Sequence, residues 1–353
     1  MFKNKKPISL GVDIGSSSVK VMEMSESRER YKVEHFAVEP LPRNTVVENT
    51  ITDVDRVGKA IRTAIAKSGS KRKHAVVAVA AAQAMNKVIS VPGGLSSLDL
   101  DEQVNIEAEH HIPYAIHDVN LDFEALGPSL ENPANDEVLL AACRKEIVEE
   151  RVAVLEVAGL KVTAVDISSL ANERGFSLIA PSLPDHGVEK VVAILDYGTT
   201  SSHLYVVHRR QLVYHRDYPF GGKSLTESIQ RRFGISYQEA EHKKRTGDLP
   251  ENYKVDILRP FLESMSQEAN RAIQLFLSSS NYDHVDNVFV TGGSSALPKV
   301  VEKIGDKTGV TTRLANPFVN TKIGSNVDKK RLYRYAPLLG TVCGLAMRGA
   351  ARE

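Results

Sequence analysis

No uncharged apolar run of about 18 residues, the length a membrane helix needs, occurs in these 353 residues, so a membrane-spanning helix is excluded. Cysteine is scarce: Cys143 and Cys343 stand far apart in apolar contexts, which excludes a disulfide scaffold and fits a reducing cytosol. Neither sign of charge prevails, since 45 Lys and Arg against 44 Asp and Glu leave a net charge of +1. That balance gives no general pull toward nucleic acid or anionic membrane. The opening 1–7 is basic, but Asp13 interrupts the apolar run behind it, so no signal-peptide core follows. What remains is a chain of globular composition, long enough for two or three domains, and its partners must be read from local features.

The stretch 8–20 reads as a buried strand, a turn of Gly15-Ser16-Ser17-Ser18 and a second strand, with Asp13 where the first strand runs out. A carboxylate in an apolar strand is costly unless something neutralises it. Backbone N–H groups and hydroxyls of a Gly/Ser turn can cradle phosphate, and an acid beside such a cradle suggests a magnesium-bound nucleotide. Taken alone, the stretch is equally a β-hairpin whose aspartate caps the turn. A second copy decides between these readings. Asp196, Gly198, Thr199, Thr200 and Ser201 repeat the order of Asp13, Gly15, Ser16, Ser17 and Ser18, and both copies lie between apolar strands. Two such units predict two lobes whose turns face one cleft, where a triphosphate meets both turns and Asp13 and Asp196 hold magnesium, mainly through its waters.

Between the copies, the pattern predicts a strand over 31–38, a helix over 53–68, a strand over 75–80, strands over 86–91, 119–125 and 137–142 around an acidic helix over 101–111, and a helix over 145–158 ended by Gly159. A strand over 161–166 and a helix over 168–179 follow, the helix capped by Ser168 or Ser169. Pro181 and Pro184 mark a linker. Tempting alternatives fail. Gly222-Lys223-Ser224 imitates the end of a P-loop, but Asp217 stands where the upstream glycine is needed. His110, His111 and His117 lack regular metal-ligand spacing.

The stretches Leu10-Gly-Val-Asp-Ile-Gly-Ser-Ser-Ser-Val-Lys20 and Leu195-Asp-Tyr-Gly-Thr-Thr-Ser201 resemble the two phosphate motifs of the actin, sugar kinase and heat-shock chaperone superfamily. Val288-Phe-Val-Thr-Gly-Gly-Ser-Ser-Ala296 resembles its adenosine motif, which implies adenosine contacts for Gly292, Gly293 and Ser294. Phe220-Gly-Gly-Lys-Ser-Leu-Thr226 with Ala240-Glu-His-Lys-Lys244 resembles the bacterial-actin stretch that supplies a glutamate and a lysine to ribose and base, here Glu241 and Lys244. Their alternative is a solvated i,i+3 pair. The resemblance assigns Gly15, Ser16, Ser17, Ser18, Lys20, Gly198, Thr199, Thr200, Ser201, Gly221 and Gly222 to the phosphates. The stretch 336–344 resembles the closing helix, with small residues suited to a close helix crossing.

Within the superfamily, the opening motif and Glu107-Ala-Glu-His-His-Ile-Pro-Tyr114 resemble the PilM family, the actin-like cytoplasmic components of type IV pilus assembly. This resemblance implies an α/β, ribonuclease H-like, two-lobe fold with an FtsA-type insert. Residues 1–80 and 145–186 then build the first lobe around an insert at 81–144; 187–225 and 288–335 build the second lobe, 226–287 a helical subdomain, and 336–353 the helix returning to the first lobe. It further implies an ATP-binding scaffold, peripheral to the inner membrane, that binds the cytoplasmic N-terminal tail of PilN, with other inner-membrane and motor components as further partners. FtsA ends in a membrane-targeting helix, whereas this sequence stops nine residues past Gly344, so direct membrane insertion is not expected. Hydrolysis is expected to be slow at most. Asp166, before the helix linking the lobes, is the nearest candidate for a water-activating base. The competing functions are an FtsA-like filament and a small-molecule kinase, the latter lacking a recognisable acid with an acceptor pocket.

Overall fold

The computed structural model describes residues 9–27, 30–129 and 132–350; the opening 1–7, Ile8 of the first motif and the last three residues lie outside the described residues. Strands β1 (Leu10–Ile14), β2 (Ser18–Ser27) and β3 (Arg30–Pro40) form an antiparallel meander. A short hairpin of β4 (Val46–Val47) and β5 (Thr50–Ile51) precedes α1 (Val54–Ser68), which crosses to β6 (His74–Val79), parallel to β1. Helix α1 starts where the Asp53 side chain accepts the Arg56 N–H at 2.9 Å, buries Val57, Ile61 and Ala64 along one stripe, and ends at left-handed Gly69.

The next segment folds around its own core. Strands β7 (Ala84–Pro92), β8 (Val119–Pro128) and β9 (Asn135–Arg144) pair in the order β7-β9-β8, and α2 (Ser97–His111) packs Val104 and Ala108 against Ile89, Val138 and Leu140. Helix α2 begins four residues before the predicted 101. Ser96 caps it, accepting the Asp99 N–H and donating its hydroxyl to the Asp99 carboxylate at 2.7 Å. The exposed Leu98 in its first turn hides that start from a reading based on periodicity.

Helix α3 (Lys145–Val157) leads to β10 (Lys161–Ile167), which pairs parallel with β6 at one edge of the first sheet, and α4 (Ser168–Phe176) leads toward the second half of the chain. Neither serine caps α4, contrary to expectation; the Ser168 hydroxyl accepts the Ala81 N–H at 3.0 Å instead, and α4 ends before 179 in short 3₁₀ turns.

The second half repeats the first. Strands β11 (Val192–Tyr197), β12 (Ser202–His208) and β13 (Gln211–Tyr218) form a meander. Helices α5 (Gly222–Phe233), α6 (Tyr237–Thr246) and α7 (Arg259–Ser279) precede β14 (Asn287–Thr291), parallel to β11, then α8 (Val300–Thr308) and β15 (Thr311–Leu314). The order β13-β12-β11-β14-β15 matches β3-β2-β1-β6-β10 strand for strand. Strand β16 (Lys322–Ile323) then adds to the free edge of β3, and α9 (Lys329–Tyr335) and α10 (Gly340–Ala350) return the chain to the first sheet.

Small residues make that return possible. A Cβ on Gly344 would run into the Ala171 carbonyl of α4, and one on Gly175 into the Gly340 carbonyl, so α4 and α10 cross almost backbone to backbone. Cys343 packs against Met22 in this core, and burial raises its thiol pKa as it does that of Cys143. Among the described residues no helix is long and apolar enough to cross a membrane.

Candidate functional site

The two predicted turns have the same hydrogen bond. Gly15 N–H donates to Ser18 O at 3.1 Å, and Gly198 N–H donates to Ser201 O at 3.0 Å, each closing a four-residue link between antiparallel strands. The turns meet: the Thr199 hydroxyl donates to the Ser17 hydroxyl at 2.8 Å across the lobes. Around this contact lies a cavity of about 170 Å³ lined by Asp13, Gly15, Ser16, Ser17, Ser18, Lys20, Asp196, Gly198, Thr199, Thr200, Ser201, Gly292 and Gly293. A second cavity of about 870 Å³ adjoins it, sharing Ser16, Ser17, Asn49 and 199–201 in its wall and extending along Leu41–Asn49 of one lobe and Tyr237, Glu241 and Arg245 of the other.

Electrostatics differ between the turns. Register places Lys20 directly opposite Asp13, and the Lys20 ammonium bonds the Asp13 carboxylate at 2.9 Å. Asp196 has His203 opposite, but His203 Nδ1 lies 2.6 Å from Asp217 Oδ1, an oxygen that His215 Nε2 also reaches at 2.7 Å. Burial raises the Asp196 carboxyl pKa, His203 and Lys20 offset it in part, and Asp13 and Asp217 add to it. His203 is raised by its Asp217 bond and the Asp196 charge, against its own desolvation, which is the largest effect and lowers it. Gly292, at φ +85°, is held so close to Asp196 Oδ1 and the Tyr197 carbonyl that a side chain there would collide with both.

Other expected residues stand elsewhere. Gly221 and Gly222 are buried behind the second turn: Gly222 N–H donates to Gly198 O at 3.0 Å and Lys223 N–H to Thr199 O at 2.8 Å, so they buttress that turn. Ser294 is buried with its hydroxyl 3.5 Å from Gly198 O and lines neither cavity. Glu241 lines the larger cavity, apart from Gly292 and Gly293 in the smaller. Lys244 lines neither, because its ammonium donates to Glu241 Oε2 and to the Thr226 hydroxyl, both at 2.7 Å.

Asp166 requires a correction. Its carboxylate is 2% exposed, receives Arg174 at 2.9 Å, Arg348 at 3.0 Å and its neighbour's Ile167 N–H at 2.8 Å, and lines neither cavity. It ties α4 to α10 and has no water-facing lone pair to offer as a base.

Sequence reasoning missed Asn49, Arg151, Asn172, His203 and Tyr205 in the smaller cavity's wall. Three of these had a signal. His203 and Tyr205 alternate along β12 with period two from Ser201, facing the same way. Arg151 occupies the first position of the apolar stripe Arg151, Val154, Leu155, Ala158, where a charge is out of place.

Comparisons with known proteins agree with this architecture. The family described as type IV pilus assembly protein PilM matches residues 11–350. A solved PilM-PilN type IV pilus biogenesis complex contains a chain 26% identical to this one, covering 99% of this chain and 100% of that chain at a TM-score of 0.82. The cell division protein FtsA of Bacillus subtilis is 23% identical over 364 residues, 89% of this chain and 80% of that protein. The ethanolamine utilization protein EutJ of Carboxydothermus hydrogenoformans, at 17% identity and a TM-score of 0.55 over 98% of this chain and 91% of that one, shares the fold. The fold is actin-like, and the chain belongs to the PilM family of type IV pilus assembly proteins.

Proposed function

We propose that the chain is an ATP-binding scaffold of the pilus inner-membrane assembly, in which nucleotide between the lobes governs the surface offered to the cytoplasmic N-terminal tail of PilN. The observation carrying the nucleotide half is the meeting of two equivalent turns at Ser17 and Thr199 beside two carboxylates. The donor set fits a magnesium nucleotide: hydroxyls and turn N–H groups for phosphate, and Asp13 and Asp196 as hard oxygen ligands, of which Asp196 is destabilised as an anion until a cation reaches it. Magnesium, when bound, neutralises phosphate charge. The chain's own groups orient the phosphates: Lys20 fixes Asp13, and Gly221 and Gly222 hold the second turn rigid.

The PilN half rests on the close likeness to the chain of the PilM-PilN complex. The insert at 81–144 has its own core and leaves Val88, Ile106, Tyr114 and Leu126 exposed; the Arg144 guanidinium lies 5.5 Å from the Tyr114 ring, where the insert joins α3. These exposed apolar side chains beside the junction with the first lobe are the surface we assign to the peptide. Nucleotide bridging both lobes then favours the closed state by its differential affinity. The chain works in the cytoplasm and is held at the inner membrane by partners. Titrating the full chain with cytoplasmic tails of inner-membrane pilus proteins, with and without ATP and magnesium, tests this reading. The PilN tail should bind with an affinity that changes on adding nucleotide, and a failure of every tail to bind refutes the scaffold.

A further inference from the structure

Among the described residues, Arg151 is a buried arginine with unpartnered donors. It is 2% exposed, and it stands on the buried stripe of α3. One of its nitrogens is used: Nη2 donates to the Asn49 carbonyl and faces Gln83 Oε1 at 3.4 Å. Nε and Nη1 are buried with no hydrogen-bond partner. Glu150 Oε1 pairs with Nη1 as an ion at 3.4 Å, outside hydrogen-bond geometry, and accepts the Ile51 N–H at 2.8 Å. Burial works against the guanidinium's charge, with Glu150 and Asp13 acting the other way. A buried cation with unanswered donors is costly, and chains retain one where an anion arrives to answer them.

The cavity that Arg151 lines is the one holding both turns. We propose that Arg151 is an anion-binding residue of this cavity, its unanswered N–H groups meeting the terminal phosphate of a nucleoside triphosphate; this rests on the nucleotide reading above. The assignment to the terminal phosphate follows from placement. Arg151 comes from the first lobe and feels the Asp13 charge, whereas Gly292 and Gly293, the expected nucleoside contacts, come from the second. The same guanidinium holds Asn49, which with Glu48 adopts a left-handed backbone in the link between β4 and β5 and lines both cavities. A few residues upstream, Arg43 lies 4.2 Å over the Tyr237 ring of the other lobe. A phosphate that engages Arg151 therefore bears on the loop that bridges the lobes.

Calorimetric titration of the full chain with ATP and with ADP, in magnesium, tests this with Arg151→Met, which keeps the length and removes the charge. ATP affinity should fall about tenfold or more while ADP affinity changes by less than about threefold. Equal losses for both nucleotides, or none, overturn the assignment while leaving the nucleotide reading intact. A wild-type chain that binds neither overturns both. Should the variant not fold, hydrogen exchange of the wild type decides: amides of 49–51 should be protected by ATP more than by ADP, and equal protection overturns the assignment.

Discussion

The two turns at the cleft have one backbone and two electrostatic solutions. Asp13 is neutralised from within its own hairpin by Lys20 on the facing strand. Asp196, at the matching place, faces a histidine already committed to Asp217, and burial opposes its ionisation. The acid of the first turn is thus ion-paired within its own hairpin, and the acid of the second is held against ionisation by burial. Repetition preserved the backbone of the turn, while the neighbours of each acid make one wall of the cleft ion-paired and leave the other with a carboxylate whose ionisation burial opposes.

Among the described residues, the close crossing of α10 on α4 belongs to the first lobe alone. Gly344→Leu forces the two backbones apart and should cost about 3 kcal/mol or more, read as a fall in midpoint by denaturant unfolding. Survival of the midpoint would mean the crossing is not what holds α10 in place. Next, the two acids should respond in opposite directions in nucleotide-free protein. Lys20→Met strands Asp13 and should destabilise by about 1–3 kcal/mol. Asp196→Asn should stabilise at neutral pH. The sign follows from the raised pKa of Asp196: the folded chain holds that proton more tightly than the unfolded chain, so this group favours folding in acid, and its contribution declines as pH rises from about 4 through the folded value. Thermal melts across that range should show the decline in the wild type and its loss in Asp196→Asn. Parallel behaviour of both variants would erase the distinction between the walls.

Much of this was legible in the residues, and the exceptions share a cause. The order acid, glycine, hydroxyls survives in both turns, so the duplicated topology could be read from one alignment of Asp13 with Asp196. The small residues of 336–344 likewise announced a close crossing. Asp166 misled because a carboxylate at a strand end looks the same whether it faces water or arginine; Arg348, which engages it, lies in the last helix. Lys244 misled in the same way, its i,i+3 partner Glu241 being visible while Thr226, on another helix, was not. Local patterns showed which residues carry charge, and the crossing of distant elements decided which charges are already spent.

In the proposed function both turns serve one ligand. Calorimetric titration with ATP and magnesium of the wild type, Asp13→Ala and Asp196→Ala measures it directly. Each variant should lose about tenfold or more in affinity, with the first turn as necessary as the second. Unchanged affinity in both variants would contradict the shared cleft.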